Sequence, residues 1–338
     1  MISTRRTTLA EVAGAAGVSI STVSKVLNDR ADVSAETRRR VQEHLRAAEY
    51  RPTASRLGRQ NHQSRLIEVL FSAAQNAYNM TVLEGIASAA QADGFEIVLG
   101  YRLGSDRFDF DPQHLLNSGR AGAILLTMNP PQEHLDTLRE AAFPLVVVDP
   151  PRVGNSDCVS IGSTCFTGGL TATQHLLSFG HRRIGHAGGP HSNDCSQARL
   201  AGHSSALRQA GIQLDESLIT HGGFTYDAGR RAAHDLLDRA DRPTAIFAAS
   251  DETALGVMEE ARRRGIRVPE DLSIVGFDDT FLAARATPPL TTVAQPLVEM
   301  GRVAVRSLVQ LIGEGAVATS HIELATRLVI RDSTAPLS

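Results

Sequence analysis

The sequence predicts an α/β protein: a small helical N-terminal module followed by a body of doubly wound parallel sheets. Three observations carry that expectation. From residue 66 onward, short apolar runs (LIEVLF 66–71, FEIVLG 95–100, AGAILLT 121–127, LVVVD 145–149, RIGHAGG 183–189, AIFAAS 245–250, LSIVGFD 272–278) alternate with helical stretches such as MTVLEGIASAAQADG and TALGVMEEARRRG. Strands separated by helices make parallel βαβ units, and this many units fit two lobes better than one sheet. The first fifty residues instead carry helix caps and a turn glycine, with no strand pattern. Finally, the net charge of −3 on 338 residues divides unevenly. Residues 1–60 hold eleven bases against six acids, a net +5, which leaves −8 on the remainder. A basic module joined to an acidic body is the pattern of a polyanion reader fused to something else.

The basic module reads as three helices. Thr8 and Glu11 have capping-box spacing, with Leu9, Val12 and Ala13 following on one face. Gly17 supplies a tight turn, and Ser19 caps a second helix through Leu27. Two short helices joined by a glycine turn make a helix-turn-helix. Ser34 caps a third helix, whose Val41, Leu45 and Ala48 stripe closes a core with Val12, Ala13, Val18, Val23 and Val26. The second helix then leaves Ile20, Ser21, Thr22 and Lys25 outward near its N-terminal end, the end that such motifs insert into the major groove. An ammonium donates to guanine O6 and N7, an isoleucine meets a thymine methyl, and hydroxyls bond base edges or phosphates. Lys25 is the only lysine in the chain. A plain three-helix packing unit with polar surface residues is the alternative.

The run TLAEVAGAAGVSISTVSKVLNDRADVSAETRRRVQEHLRAAEYRP closely resembles the headpiece of lactose-repressor-type (LacI/GalR family) transcription regulators. It follows their T-x-x-x-V-A-x-x-A-G-V-S-x-x-T-V-S-x-V-L-N signature without a gap. The resemblance implies that Ile20, Ser21 and Lys25 read bases, while Thr8, Ser19, Thr22, Ser24 and Asn28 hold the phosphate backbone. It also implies a homodimer on a pseudo-palindromic operator in double-stranded DNA.

The segment from Thr53 to Ser64 is polar, basic and nearly free of apolar residues, and reads as a linker after Pro52. In the family this stretch is a hinge helix that wedges a leucine into the minor groove. Here Arg59 occupies that position, and the only leucine, Leu57, falls two residues early. Either Leu57 inserts through a shifted register or Arg59 enters a narrow groove electrostatically; Leu57 is the favoured choice.

In doubly wound sheets, ligands sit beyond the carboxyl ends of strands. The residues to inspect there are Phe71 and Ser72, Asp149, the 189–199 loop, Ser250 and Asp251, and Asp278 and Asp279. The phrases PLVVVD, GHRRIGHAGGP, PTAIFAASDETALG, VPEDLSIVGFDD and PPLTTVAQP resemble the family's effector domain, which is similar to periplasmic sugar-binding proteins. That resemblance implies a headpiece over 1–52, a hinge over 53–64 and an effector-binding and dimerisation domain over 65–338. Its N-lobe spans about 65–163 and 293–325, and its C-lobe about 164–292 and 326–338. Effector contacts are implied at Asp149, Arg199, Ser250 and Asp278, with Phe71, Tyr78 and Asn79 lining the other lobe. Ser250 stands where many relatives have asparagine. Carboxylates accept from hydroxyls and an arginine fork donates to them, so a sugar is the expected effector. Tyr78, Phe71 and Phe277 are the aromatic candidates for stacking.

Other chemistries are not supported. No run approaches a membrane span, and MISTRRTTLAEVAGAAGV lacks the apolar segment of a secretory leader, so a cytoplasmic regulator without membrane contact is expected. Gly185 to Gly189 follow no dinucleotide-binding spacing, no nucleophile elbow is present, and His175, His181, His186, His191 and His203 lack metal-ligand spacing. No enzyme activity, cofactor or metal is therefore expected, and those histidines read as surface or loop residues. Cys158, Cys165 and Cys195 read as packed or inert. The ending RLVIRDSTAPLS is too short and too broken for a tetramerising coiled coil, which leaves a dimer. The leading function is a repressor whose operator affinity is modulated by a small molecule. The alternatives are a cytoplasmic solute-binding protein without an operator, or a regulator answering to a purine or nucleoside.

Overall fold

The computed structural model describes residues 9–27, 33–47, 64–71, 76–101, 111–128, 130–152, 158–317 and 319–337. The chain divides into two compact units, Met1–Arg59 and Gln60–Ser338. In the first, α1 (Leu9–Ala16), α2 (Ile20–Leu27) and α3 (Ala35–Ala47) enclose Val12, Ala13, Ala16, Val23, Val26 and Val41. Gly17 ends α1 at φ +63°, a conformation that costs glycine little, and the Val18 N–H then bonds back to the Ala13 carbonyl at 3.0 Å. The Ser19 hydroxyl accepts from the Thr22 N–H at 3.1 Å and opens α2; Ser34 does the same for Thr37 at 3.3 Å in α3. The Thr8 cap and Ala48 lie outside the described residues, as do the linker positions up to 63.

The second unit contains two six-stranded sheets. The first has the order β11-β5-β4-β3-β1-β2, with β1 Leu66–Phe71, β2 Glu96–Tyr101, β3 Gly122–Leu126, β4 Leu145–Val148, β5 Val159–Ser163 and β11 His321–Leu324, all parallel. The second has the order β12-β10-β9-β8-β6-β7, with β6 Ile184–Gly188, β7 Ile219–His221, β8 Ala245–Ala248, β9 Ser273–Asp278 and β10 Thr291–Ala294. Its edge strand β12 (Arg327–Val329) alone runs antiparallel. The central strands are buried on both faces, which is why they read as unbroken apolar runs.

The chain passes between the sheets after β5, after β10 and after β11. The second passage comes at Gln295, two residues later than the expected 293, because Val293 and Ala294 still pair with Phe277 and Asp278 of β9. The passages are tied together: the Ser163 hydroxyl donates to Gln295 Oε1, and the Thr326 N–H donates to Thr164 Oγ1 at 3.0 Å.

Three helix pairs flank these sheets: α4 (Ala77–Ala92) with α12 (Leu297–Glu314), α7 (Cys165–Ser178) with α8 (Asp194–Gln209), and α9 (Tyr226–Leu237) with α10 (Asp251–Arg263). The other α-helices among the described residues of this unit are α5 (Pro112–Asn117), α6 (Gln132–Glu140) and α11 (Phe281–Arg285). Each flanking pair touches backbone to backbone through reciprocal glycines: Gly85 and Gly301, Gly169 and Gly202, Gly229 and Gly256. A Cβ at Gly169 would strike the Arg199 carbonyl oxygen. Gly169→Ala is therefore expected to destabilise the protein by about 1–3 kcal/mol, measured by denaturant unfolding. Gly14→Ala, on a helical surface with open space around it, should be neutral or mildly stabilising.

Candidate functional site

A cavity of about 320 Å³ lies between the two sheets of the second unit, at the carboxyl ends of their strands. The first lobe contributes Tyr78 and Asn79 from the start of α4, Thr127 after β3, and Asp149 and Pro151 after β4. The other contributes Ser192 and Asn193 after β6, Arg199 of α8, Phe224 after β7, Ser250 and Glu252 after β8, Asp278 as the last residue of β9, and Thr280 just beyond it. Thr127, Asp149 and Asp278 have positive φ (54°, 49° and 114°), so the backbone turns sharply where each side chain leaves its strand end.

Arg199 organises the floor. It is 3% exposed, and its guanidinium carbon lies 3.8 Å from the Phe277 ring centroid and 5.3 Å from that of Phe224. Its Nη1 donates to the Ala249 carbonyl and lies 3.8 Å from Asp278 Oδ1; its Nε has no hydrogen-bond partner among the described residues. Burial pushes the Asp278 carboxyl well above the ordinary carboxylate range, against the pull of Arg199. Gln295 donates to that carboxyl at 2.7 Å, linking the cavity to the passage at Ser163.

Asp149 joins the lobes. It accepts from the Tyr78 hydroxyl at 3.0 Å and from the Cys195 thiol at 3.0 Å. Burial, followed by the proximity of Asp149, raises the Tyr78 hydroxyl well above its usual range, so it remains a donor. Glu252 bridges the same gap by accepting from the Ala77 N–H at 3.3 Å, the first backbone donor of α4. Ser250 faces the cavity but its hydroxyl is engaged, capping α10 through the Thr253 N–H at 3.1 Å.

Of the residues singled out in the sequence, Tyr78, Asn79, Asp149, Arg199, Ser250 and Asp278 are thus brought to one cavity. Phe71 is placed differently. Two-residue alternation puts it on the face of Ile67 and Val69, 3% exposed in the core with α4 and α12, and it is not among the cavity-lining residues. Phe277 likewise cannot stack on a ligand: it alternates with Asp278, packs against Gly168 of α7 and supports Arg199 from behind. Beside Tyr78, the aromatic that lines the cavity is Phe224, preceded in the sequence by Gly222 and Gly223. Glu252 and Thr280 were also not anticipated, whereas Asn193 falls in the 189–199 loop singled out in the sequence. Asp251, though at a strand end, is fully buried and accepts from Thr280 and Thr292, tying α10 to β9 and β10. Ser72 lies outside the described residues.

The histidines are a correction. His175, His181, His186 and His203 are buried rather than superficial. His175 bonds Thr334 and His181 bonds Thr244, Ser273 and the Ala335 carbonyl, so both anchor the C-terminal segment. His186 and His203 stack at 5.5 Å beneath Phe247.

In the first unit, Ile20 is 51% exposed at the start of α2, and Ser19, Ser21 and Lys25 are exposed beside it. Thr22 and Ser24 are half-buried, and the hydroxyls of Ser21 and Thr22 are held by Ser19 at 2.7 and 2.9 Å. Thr8, Asn28, Leu57 and Arg59 lie outside the described residues.

Residues 8–53 match the pattern of bacterial regulatory proteins of the lacI family, and residues 173–334 match a periplasmic binding protein-like domain. Catabolite control protein A of Priestia megaterium is 33% identical over 332 residues, covering 97% of this chain and 99% of that protein. The chain belongs to the LacI family of bacterial regulatory proteins. This LacI-family regulator also superimposes on two solved complexes. The transcriptional regulator CelR bound to cellobiose has a TM-score of 0.75 at 33% identity, covering 97% of this chain and all of that one. The lac repressor dimer bound to operator and an anti-inducer has a TM-score of 0.69 at 28% identity, covering 98% and 100%. The regulator is a DNA-binding transcription factor and not an enzyme. Among its described residues no helix is long and apolar enough to cross a membrane.

Proposed function

We propose that this LacI-family regulator is a cytoplasmic homodimeric repressor whose operator affinity is set by a neutral sugar held between its lobes. The carrying observation is the charge balance of the cavity: Asp149, Glu252 and Asp278 face one arginine, and that arginine is already engaged by Asp278 and the Ala249 carbonyl. Such a lining leaves an anionic ligand little unengaged positive charge to meet and offers acceptors to hydroxyl groups, while Phe224 presents an apolar ring surface. The cellobiose held by the similar CelR supports the same class. A thermal-shift screen of neutral sugars against sugar phosphates and nucleosides tests it: a neutral sugar should raise the melting temperature by mass action. A response confined to nucleosides or phosphates would contradict the reading.

Both lobes contact the enclosed ligand, so binding favours the arrangement in which Glu252 meets Ala77 and Asp149 meets Cys195. The Asp278–Gln295–Ser163 chain carries that preference to the passages between lobes. The headpiece over 1–52 and the linker over 53–64 then deliver it to two operator half-sites. At each half-site, Ile20, Ser21 and Lys25 read bases, with Ser19, Thr22 and Ser24 nearest the backbone. Lys25→Ala is expected to cost about 1–3 kcal/mol on the preferred operator and to relax preference at one position per half-site. Equal loss on every duplex, measured by titration across single-base variants, would make Lys25 a phosphate contact only.

A further inference from the structure

The three cysteines form no disulfide, yet two of them are not inert packing. Helices α7 and α8 lie side by side in one register. Thr173 Oγ1 bonds His203 Nδ1 at 2.9 Å, and one turn earlier Gly169 rests on the Arg199 backbone. One turn earlier again, the same register sets Cys165 opposite Cys195, near enough for each thiol to shift the other's titration. The glycine contact holds the two helix backbones close at this level of the pair.

The surroundings differ between the two. Cys165 is the first residue of α7, is 4% exposed, and its Sγ lies 3.7 Å from Arg199 Nη2 and 3.7 Å from the Ser163 hydroxyl. The neighbouring Cys195 thiol, helped by the Arg199 guanidinium, draws the Cys165 thiol down to about 7 against the effect of burial. Cys195 keeps its proton and donates it to Asp149 Oδ1 at 3.0 Å. Cys165 is thus the more readily ionised sulfur and sits beside a cation, with a thiol opposite it in register, which is the arrangement of an attacking and a resolving sulfur.

We propose that Cys165 and Cys195 are a hydroperoxide-sensitive dithiol held behind the lining of the cavity. The Cys165 thiolate attacks the O–O bond of a hydroperoxide, forming the sulfenic acid and releasing an alcohol, or water from hydrogen peroxide, once the leaving oxygen is protonated. The Cys195 sulfur then displaces hydroxide from the sulfenic acid, its own proton completing a molecule of water. Two thiols lose two electrons and two protons in total, and the hydroperoxide takes up both. Arg199 and Asp149 line the cavity and touch the two thiols, so the dithiol lies one side chain behind the cavity surface. The disulfide removes the Cys195 donor from Asp149 and so deletes one contact between the lobes. That consequence rests on reading the cavity as the effector site.

The test uses the full chain and hydrogen peroxide. After brief treatment, remaining thiols are alkylated and peptides are sequenced by mass spectrometry. A Cys165–Cys195 cross-link, two hydrogens lighter and reversed by dithiothreitol, is expected, with Cys158 alkylated. Cys195→Ser should stop at a Cys165 sulfenic acid that dimedone traps, and Cys165→Ser should slow peroxide consumption at least tenfold. Cysteines that all remain alkylatable, a cross-link through Cys158, or a Cys195→Ser protein without a dimedone adduct would each overturn the proposal. A second arm compares the melting-temperature rise with cellobiose before and after oxidation, where a smaller rise is expected. An unchanged rise in the cross-linked protein would overturn the link to the lobes. The cross-linking arm contains no sugar, so a reduced protein that answers to no sugar would defeat only the effector reading.

Discussion

Arg199→Met should destabilise the protein by about 3–5 kcal/mol and abolish its response to sugar. The arginine is 3% exposed between Phe277 and Phe224, so methionine can fill much of the space but cannot answer the groups around it. The Asp278 carboxyl would lose its cation and the Ala249 carbonyl its donor, both inside the protein. Removing one member of a buried charged pair costs several kilocalories because the other stays desolvated and unpaired. The same substitution takes away the one guanidinium in the cavity, and Arg199→Lys should not restore it, since a point charge cannot reproduce the planar fork. Urea unfolding with and without sugar measures both effects. Wild-type stability together with a retained ligand shift would remove Arg199 from the site.

A second large effect is expected in acid. His203 is fully buried, and desolvation holds its imidazole down to about 4; His186 beside it is depressed in the same direction, by burial first and His203 next. A group whose folded pKa lies below its unfolded value near 6.5 gives stability that is present above that value and is lost as pH falls toward the folded one. For His203 the loss between pH 6.5 and 4 amounts to about 3 kcal/mol. Asp251 acts in the opposite sense over nearly the same window, because burial pushes its carboxyl up to about 7 and favours the folded state in acid. The total pH profile therefore mixes the two, and the informative quantity is a difference. His203→Leu leaves Thr173 its bond to the Gly169 carbonyl and should gain about 3 kcal/mol relative to wild type as pH falls from 7 to 4. Parallel profiles for the two proteins would show that His203 is not held neutral by burial.

The architecture was legible where burial is symmetrical. β3, β4 and β8 are apolar on both faces and stand out as continuous runs, and the alternation with helices implied parallel sheets. Strands that are short and partly exposed, β7, β11 and β12, left no such run. Within the site, strand ends located Asp149, Ser250 and Asp278 because the chemistry follows from topology. Two of the three aromatic candidates face the core for a related reason: side chains alternate, so once Asp278 reaches the cavity its neighbour Phe277 must face the core, and Phe71 follows Ile67 and Val69 inward, whereas Tyr78 at the start of α4 does line the cavity. The histidines were misjudged because their partners are distant in sequence. His181 is explained by Thr244, Ser273 and Ala335, which spacing along the chain does not reveal.

The central claim is that occupancy of the cavity changes operator affinity. Its most direct test is to select a duplex from a random DNA pool with the full-length regulator, then titrate that duplex with and without a sugar that raises the melting temperature. A two-fold symmetric site is expected, with its affinity moved roughly 5–150-fold by the sugar and salt-dependent throughout. An enriched site whose affinity is the same at zero and saturating sugar, or the absence of any enriched site, would contradict the account.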